Sequence, residues 1–181
     1  MPKHYDEQKL RVPDMEMIFE TLKRTFNARL KCAFPPILLM PEDVLKYEPI
    51  DRVFAKEVSD FFRAKNVWDI SIKDIDRVFG YEILNALYSL SWEAKRMIVP
   101  KIMELSLENY KSGHIIIECS DNILLNPHES DDASSTFGDW VLSFSDYQRQ
   151  VILDYIMIMR VDVLGAYRNI HFRSDPTMWI P

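Results

Sequence analysis

The chain has 181 residues, 48% hydrophobic and 12% aromatic, with 22 basic side chains against 28 acidic ones, a net charge of −6. That composition excludes a disordered chain, and the size suits one domain with a sizeable core. Only four glycines occur, which disfavours phosphate-cradling loops and hairpin-rich β folds, and the acidic balance argues against nucleic acid as a ligand, because phosphates need a basic face.

The N-terminal stretch MPKHYDEQKLRVPD is charged and lacks the apolar run of a signal peptide, so a cytoplasmic protein is expected. The longest apolar runs, PPILLMP and YIMIM, are too short to span a bilayer. Met15, Ile18, Phe19, Leu22, Phe26 and Leu30 then recur at helical spacing and predict one apolar helix face. Pro13 and Asp14 suit its first turn, and Arg29 and Lys31 its last. Four prolines between 35 and 49 forbid a continuous helix, so an extended connector is expected with Phe34, Ile37, Leu38 and Leu39 on the core. Helical spacing returns through Val53, Phe54, Val58, Phe61 and Phe62.

Ser71 and Asp74 stand at the spacing of an N-cap and its acidic partner, with Gly80 placed to divide the stretch that follows into two short helices. Ser91 predicts another N-cap. In the helix it opens, Pro100 either kinks the chain or begins a second helix, and Gly113 suits a C-cap. The β-branched run HIIIE reads as a short strand around 115–119 or as a buried connector. Ser145 and Gln148 have capping-box spacing ahead of an apolar stripe through Val151, Ile152, Tyr155, Ile156, Met159, Val163 and Tyr167. The tail after it either docks through Phe172 and Trp179 or frays. Together these elements predict an all-α fold: one compact domain over 1–181, with five to seven helices.

The sequence carries no G-x-S-x-G, Walker A, G-x-G-x-x-G or H-E-x-x-H motif, so no catalytic residue, no metal and no cofactor is expected. His114 and Glu118, if extended, stand ~13 Å apart, too far to share one ion. The acidic run around His128 lacks the glycine-containing calcium-loop pattern. Cys32 and Cys119 have no CxxC partner and are expected to be buried thiols. The Lys-Arg pairs at 23–24 and 95–96 are read as solvated helix faces.

Charge is distributed unevenly. Residues 112–148 contain no Lys or Arg but seven acids: Glu118, Asp121, Glu129, Asp131, Asp132, Asp139 and Asp146. Without them the remaining acids number 21 against 22 bases, so this one segment accounts for the net charge. Residues 126–140 read as an acidic loop with the Ser, Asp and Gly content of a solvated turn region. Its negative potential, screened over about 8 Å at physiological salt, repels nucleic acid and attracts a basic protein. Glu118, Asp121, Glu129, Asp131, Asp132 and Asp139 are the candidate partner-binding charges. Phe137 and Trp140 are the candidate anchors; core packing beside Val141, Leu142 and Phe144 is the other reading of Trp140.

Two stretches carry a resemblance. WDISIKDIDRVFGYEILNALYSLSWEAKRMIVPKIMELSL (68–107) contains A-L-x-x-L-S-x-E-A-x-R-x-x-x-P, and LSFSDYQRQVILDYIMIM follows at 142–159. Over about a third of the chain, these resemble a family of small helical bacterial proteins related to the immunity proteins of polymorphic toxin and contact-dependent growth-inhibition systems. Met97, Ile98 and Val99 stand where that family has paired aromatics before the proline. The resemblance implies a cytoplasmic protein that binds and neutralises a cognate toxin domain, and it supplies no catalytic residues. A cationic toxin, a nuclease above all, fits the acidic segment; a helical scaffold or adaptor without catalytic activity is the alternative.

Overall fold

The computed structural model describes residues 15–45, 52–112, 114–124, 131–160 and 176–180. Within them the chain is all-α, as expected. Eight helices follow in order: α1 (Met15–Ala33), α2 (Arg52–Phe62), α3 (Ile72–Val78), α4 (Ile83–Ser89), α5 (Trp92–Glu108), α6 (Ile116–Leu124), α7 (Asp131–Leu142) and α8 (Asp146–Arg160). Short 3-10 turns lie at Val67–Asp69, Gly80–Glu82, Tyr110–Ser112 and Pro176–Trp179.

The predicted caps form. Ser71 Oγ accepts from the Asp74 amide and donates to its carboxylate at 2.6 Å, holding that carboxyl below its usual range. Ser91 Oγ accepts from the Ala94 amide at the start of α5. Ser145 and Gln148 exchange two hydrogen bonds as a capping box, satisfying amides that have no partner within α8. Gly80 takes a φ of +51°, and the turn it permits separates α3 from α4. Helix α5 ends at Glu108, with Asn109 as C-cap, before the position of Gly113, which lies outside the described residues.

Helix α5 is the axis of the molecule. It runs through Pro100 as a single helix, and from Ile98 to Leu107 every residue is buried. A mid-helix proline removes one backbone hydrogen bond and costs about 3 kcal/mol. Packing on all sides offsets that cost, and a helix buried all round carries no amphipathic stripe. Helices α1 and α8 pack together beside α5, joined by the Phe26–Tyr155 ring contact and the Arg29–Asp154 ion pair. On α5, Glu104 accepts from Lys101 at 2.7 Å and from Lys31 of α1 at 3.1 Å. Burial alone would push the Glu104 carboxyl up, but the Lys101 hydrogen bond and the two ammonium charges outweigh it and hold the carboxyl below its ordinary value. Tyr155 donates from α8 to Ser120 Oγ on α6 at 2.7 Å and lies 2.5 Å from Ser106 Oγ on α5, so one phenol stitches three helices.

Several expectations are corrected. Residues 116–124 are helix, not strand: α6 lies between α4 and α5 and buries Ile116, Cys119, Ser120 and Ile123 at helical spacing, and this packing overrides the β-branched preference of the isoleucine run. The connector after α1 buries Phe34, Leu38, Met40 and Val44 but exposes Ile37 and Leu39. Its backbone is paired, with Val67 N–H donating to Leu38 and Met40 N–H to Lys65, so alternate side chains point to opposite faces. Leu22 and Val53 are also exposed. Lys95 is not on a solvated face; it is buried with its ammonium over the Trp92 ring. Cys119 is buried but Cys32 is exposed. Val163, Tyr167 and Phe172 lie outside the described residues, whereas Trp179 is docked in the core.

Candidate interaction surface

Six of the seven acids of the base-free segment sit on helices among the described residues: Glu118 and Asp121 on α6, Asp131, Asp132 and Asp139 on α7, and Asp146 at the start of α8. Residues 131–140, expected as loop, are the body of α7. The reason is legible in its apolar side chains: Phe137, Trp140, Val141 and Phe144 fall at offsets of 0, 3, 4 and 7, all buried. That helical period is the signal that a reading of the Ser-Asp content overlooked.

The candidate residues separate into three groups. Phe137 and Trp140 are 0% and 4% exposed, in an aromatic cluster with Trp92, Phe144 and Trp179, and the Trp140 indole donates to the Trp92 carbonyl at 2.9 Å. They hold the acidic segment onto the body and present nothing to a partner. Asp121 is also buried. Asp139 is exposed, and Glu118 is half-buried on the outer stripe of α6. Asp131 and Asp132 are in the first turn of α7, and Glu129 lies outside the described residues.

Two exposed clusters surround the surviving charges. Around the α7–α8 turn, Leu142 and Tyr147 are exposed near Asp139 and Asp146 in the chain, and Asp146 is paired with Arg149 at 2.5 Å. The second lies on α4, whose inner face buries Ile83, Ala86, Leu87 and Leu90. Its outer face carries Asn85 and Tyr88, and the 3-10 turn just before it carries Tyr81 and Glu82; Tyr81 is 89% and Tyr88 51% exposed. The Tyr88 hydroxyl donates to Asn122 Oδ1 on α6 at 3.2 Å, and Asn122 stands one turn from Glu118. The outer stripes of α4 and α6 are therefore one continuous surface.

His114, weighed as a metal ligand, opens α6 instead. Its Nδ1 accepts from the Ile116 amide at 3.1 Å, which leaves Nε2 to donate to Asp76 at 2.9 Å. Among the described residues no three His, Cys, Asp or Glu side chains gather as a metal site. His128 lies outside those residues. Positive charge collects elsewhere: an open groove of about 560 Å³ beside α2 is lined by Arg52, Lys56 and Arg63, with Asp60 paired to Lys56. Among the described residues no helix is long and apolar enough to cross a membrane. No protein family, no curated protein and no solved structure matches this chain.

Proposed function

We propose that this protein is a stoichiometric inhibitor, an immunity protein that binds a positively charged toxin domain, with a nuclease the best-fitting class, and occludes its active site. The observation that carries the reading is the base-free run of 37 residues bearing seven acids. Its helices α6 and α7 are anchored through the core, which keeps Glu118 and Asp139 toward solvent. Carboxylates held on rigid helices match the Lys and Arg side chains with which a nuclease holds phosphate. The resemblance of 68–107 and 142–159 to immunity-related helical proteins supports the same reading.

The test is kinetic. The triple variant Glu129→Gln, Asp131→Asn, Asp132→Asn is to be measured against the basic C-terminal domain of a toxin encoded beside this chain. Association should slow by roughly tenfold at low salt and its dependence on salt should flatten, with the helical circular-dichroism signal unchanged. Unaltered association kinetics would remove these charges from the interface. A gene neighbourhood without a secreted toxin would favour the adaptor reading.

A further inference from the structure

Of the two exposed clusters, the paired outer face of α4 and α6 has the properties of a docking surface for a cation-rich partner. The chain has no Lys or Arg between Arg77 and Lys95, nor between Lys111 and Arg149, so neither helix carries a base. Among the described residues, no base is paired with Glu82 or Glu118; Glu82 accepts only from the neutral Asn85 amide. At the α7–α8 turn, by contrast, Arg149 already neutralises Asp146. Asn85 and Tyr88 stand at i and i+3 on the exposed side of α4, and Tyr81 projects from the 3-10 turn that leads into it. An aromatic ring left 89% exposed contributes nothing to the core and is at hand for recognition. Tyrosine offers large contact area at low conformational-entropy cost, and its ring face attracts Arg and Lys.

We propose that the α4–α6 face, built from Tyr81, Asn85, Tyr88, Glu82, Glu118 and Asn122, is the surface that receives an arginine- and lysine-rich protein segment. The segment's guanidinium groups stack on Tyr81 and Tyr88 and hydrogen-bond Glu82 and Glu118. The inference rests on the cationic-partner reading above and locates its contact surface.

An oligo-arginine peptide is a sufficient probe. Titrated into isotope-labelled protein at low salt, it should shift the backbone amide signals of Tyr81, Asn85, Tyr88, Glu118 and Asn122 most strongly. Tyr81→Ala and Glu118→Gln should each weaken binding roughly threefold, the size of one exposed cation–π or charge contact, and together about tenfold. Both variants should keep the wild-type melting temperature, since neither side chain is in the core. Shifts concentrated on Asp139, Leu142, Asp146 and Tyr147, or spread evenly over the surface, would overturn the α4–α6 assignment and leave the cationic-partner reading standing. Absence of any salt-sensitive binding would overturn both.

Discussion

Replacing Trp179 by alanine isolates what the tail contributes. The indole is fully buried, with its ring 5.6 Å from Trp140, 5.7 Å from Phe144 and 6.2 Å from Phe137, in edge-on or steeply inclined geometry. Its N–H reaches the Leu124 carbonyl at 3.5 Å, the long limit of a hydrogen bond, so the contribution is mainly packing. A buried tryptophan removes some 200 Å² from water, about 5 kcal/mol at 25 cal/mol per Å². Truncation to alanine in a core costs about 3–5 kcal/mol, with the loss of the ring contacts included. For a domain of this size each kcal/mol moves the melting temperature by about 2–4 °C, so Trp179→Ala should melt about 10 °C below wild type. Trp179→Phe, which keeps a ring in the site, should lose less than the alanine variant. Scanning calorimetry with urea titration measures both, and a chain ending at Asp175 should match the alanine variant. If Trp179→Ala melts within 2 °C of wild type, the tail does not hold the aromatic cluster together, and the packing argument for α7 weakens with it.

Two further outcomes follow from the charge and thiol chemistry. Because the folded Glu104 carboxyl is held below its ordinary value, its contribution is complete above the unfolded value near pH 4.3 and is lost as pH falls through the folded one. Glu104→Gln should therefore cost about 2 kcal/mol at pH 7, where it leaves the buried Lys101 without a counter-charge, and the gap to wild type in urea midpoint should close toward pH 3; a gap independent of pH would refute it. Burial, aided by the charge of Glu118, pushes the Cys119 thiol up to about 12, while Cys32 is exposed. A chromogenic disulfide reagent at pH 8 should thus titrate one thiol per native chain and two in urea, and two fast native thiols would contradict the buried α6.

The helices with a local signature could be read from sequence. Ser71, Ser91 and Ser145 each act within three residues of their partners, and so they mark their helix starts whatever lies around them. Gly80 likewise serves its own turn. Helix α6 was not legible because Ile115–Ile117 favour an extended chain locally, and only the packing of α4 and α5 decides the outcome. In α7, polar content concealed a helical period already present from Phe137 to Phe144. The candidate surface was half legible. The missing bases are a property of sequence; of the acids singled out there, Asp139 is exposed and Glu118 half-buried, while Asp121 is buried. Phe137 and Trp140 are core, and Tyr81 and Tyr88 lie 37 and 30 residues before Glu118, to which the α4–α6 contact joins their stretch of chain.

Three of the four tryptophans meet in one cluster, with Trp140 5.4 Å from Trp92 and 5.6 Å from Trp179, while Trp68 stands apart with its indole donating to Pro35. Chromophores that close exchange excitation energy, so the protein contains a native optical gauge. Emission depolarisation and near-ultraviolet exciton bands register the seating of α7 and the tail against α5, and Trp68, in the 3-10 turn Val67–Asp69, serves as an internal standard outside the cluster. Any ligand that loosens the acidic segment announces itself in light, without a label.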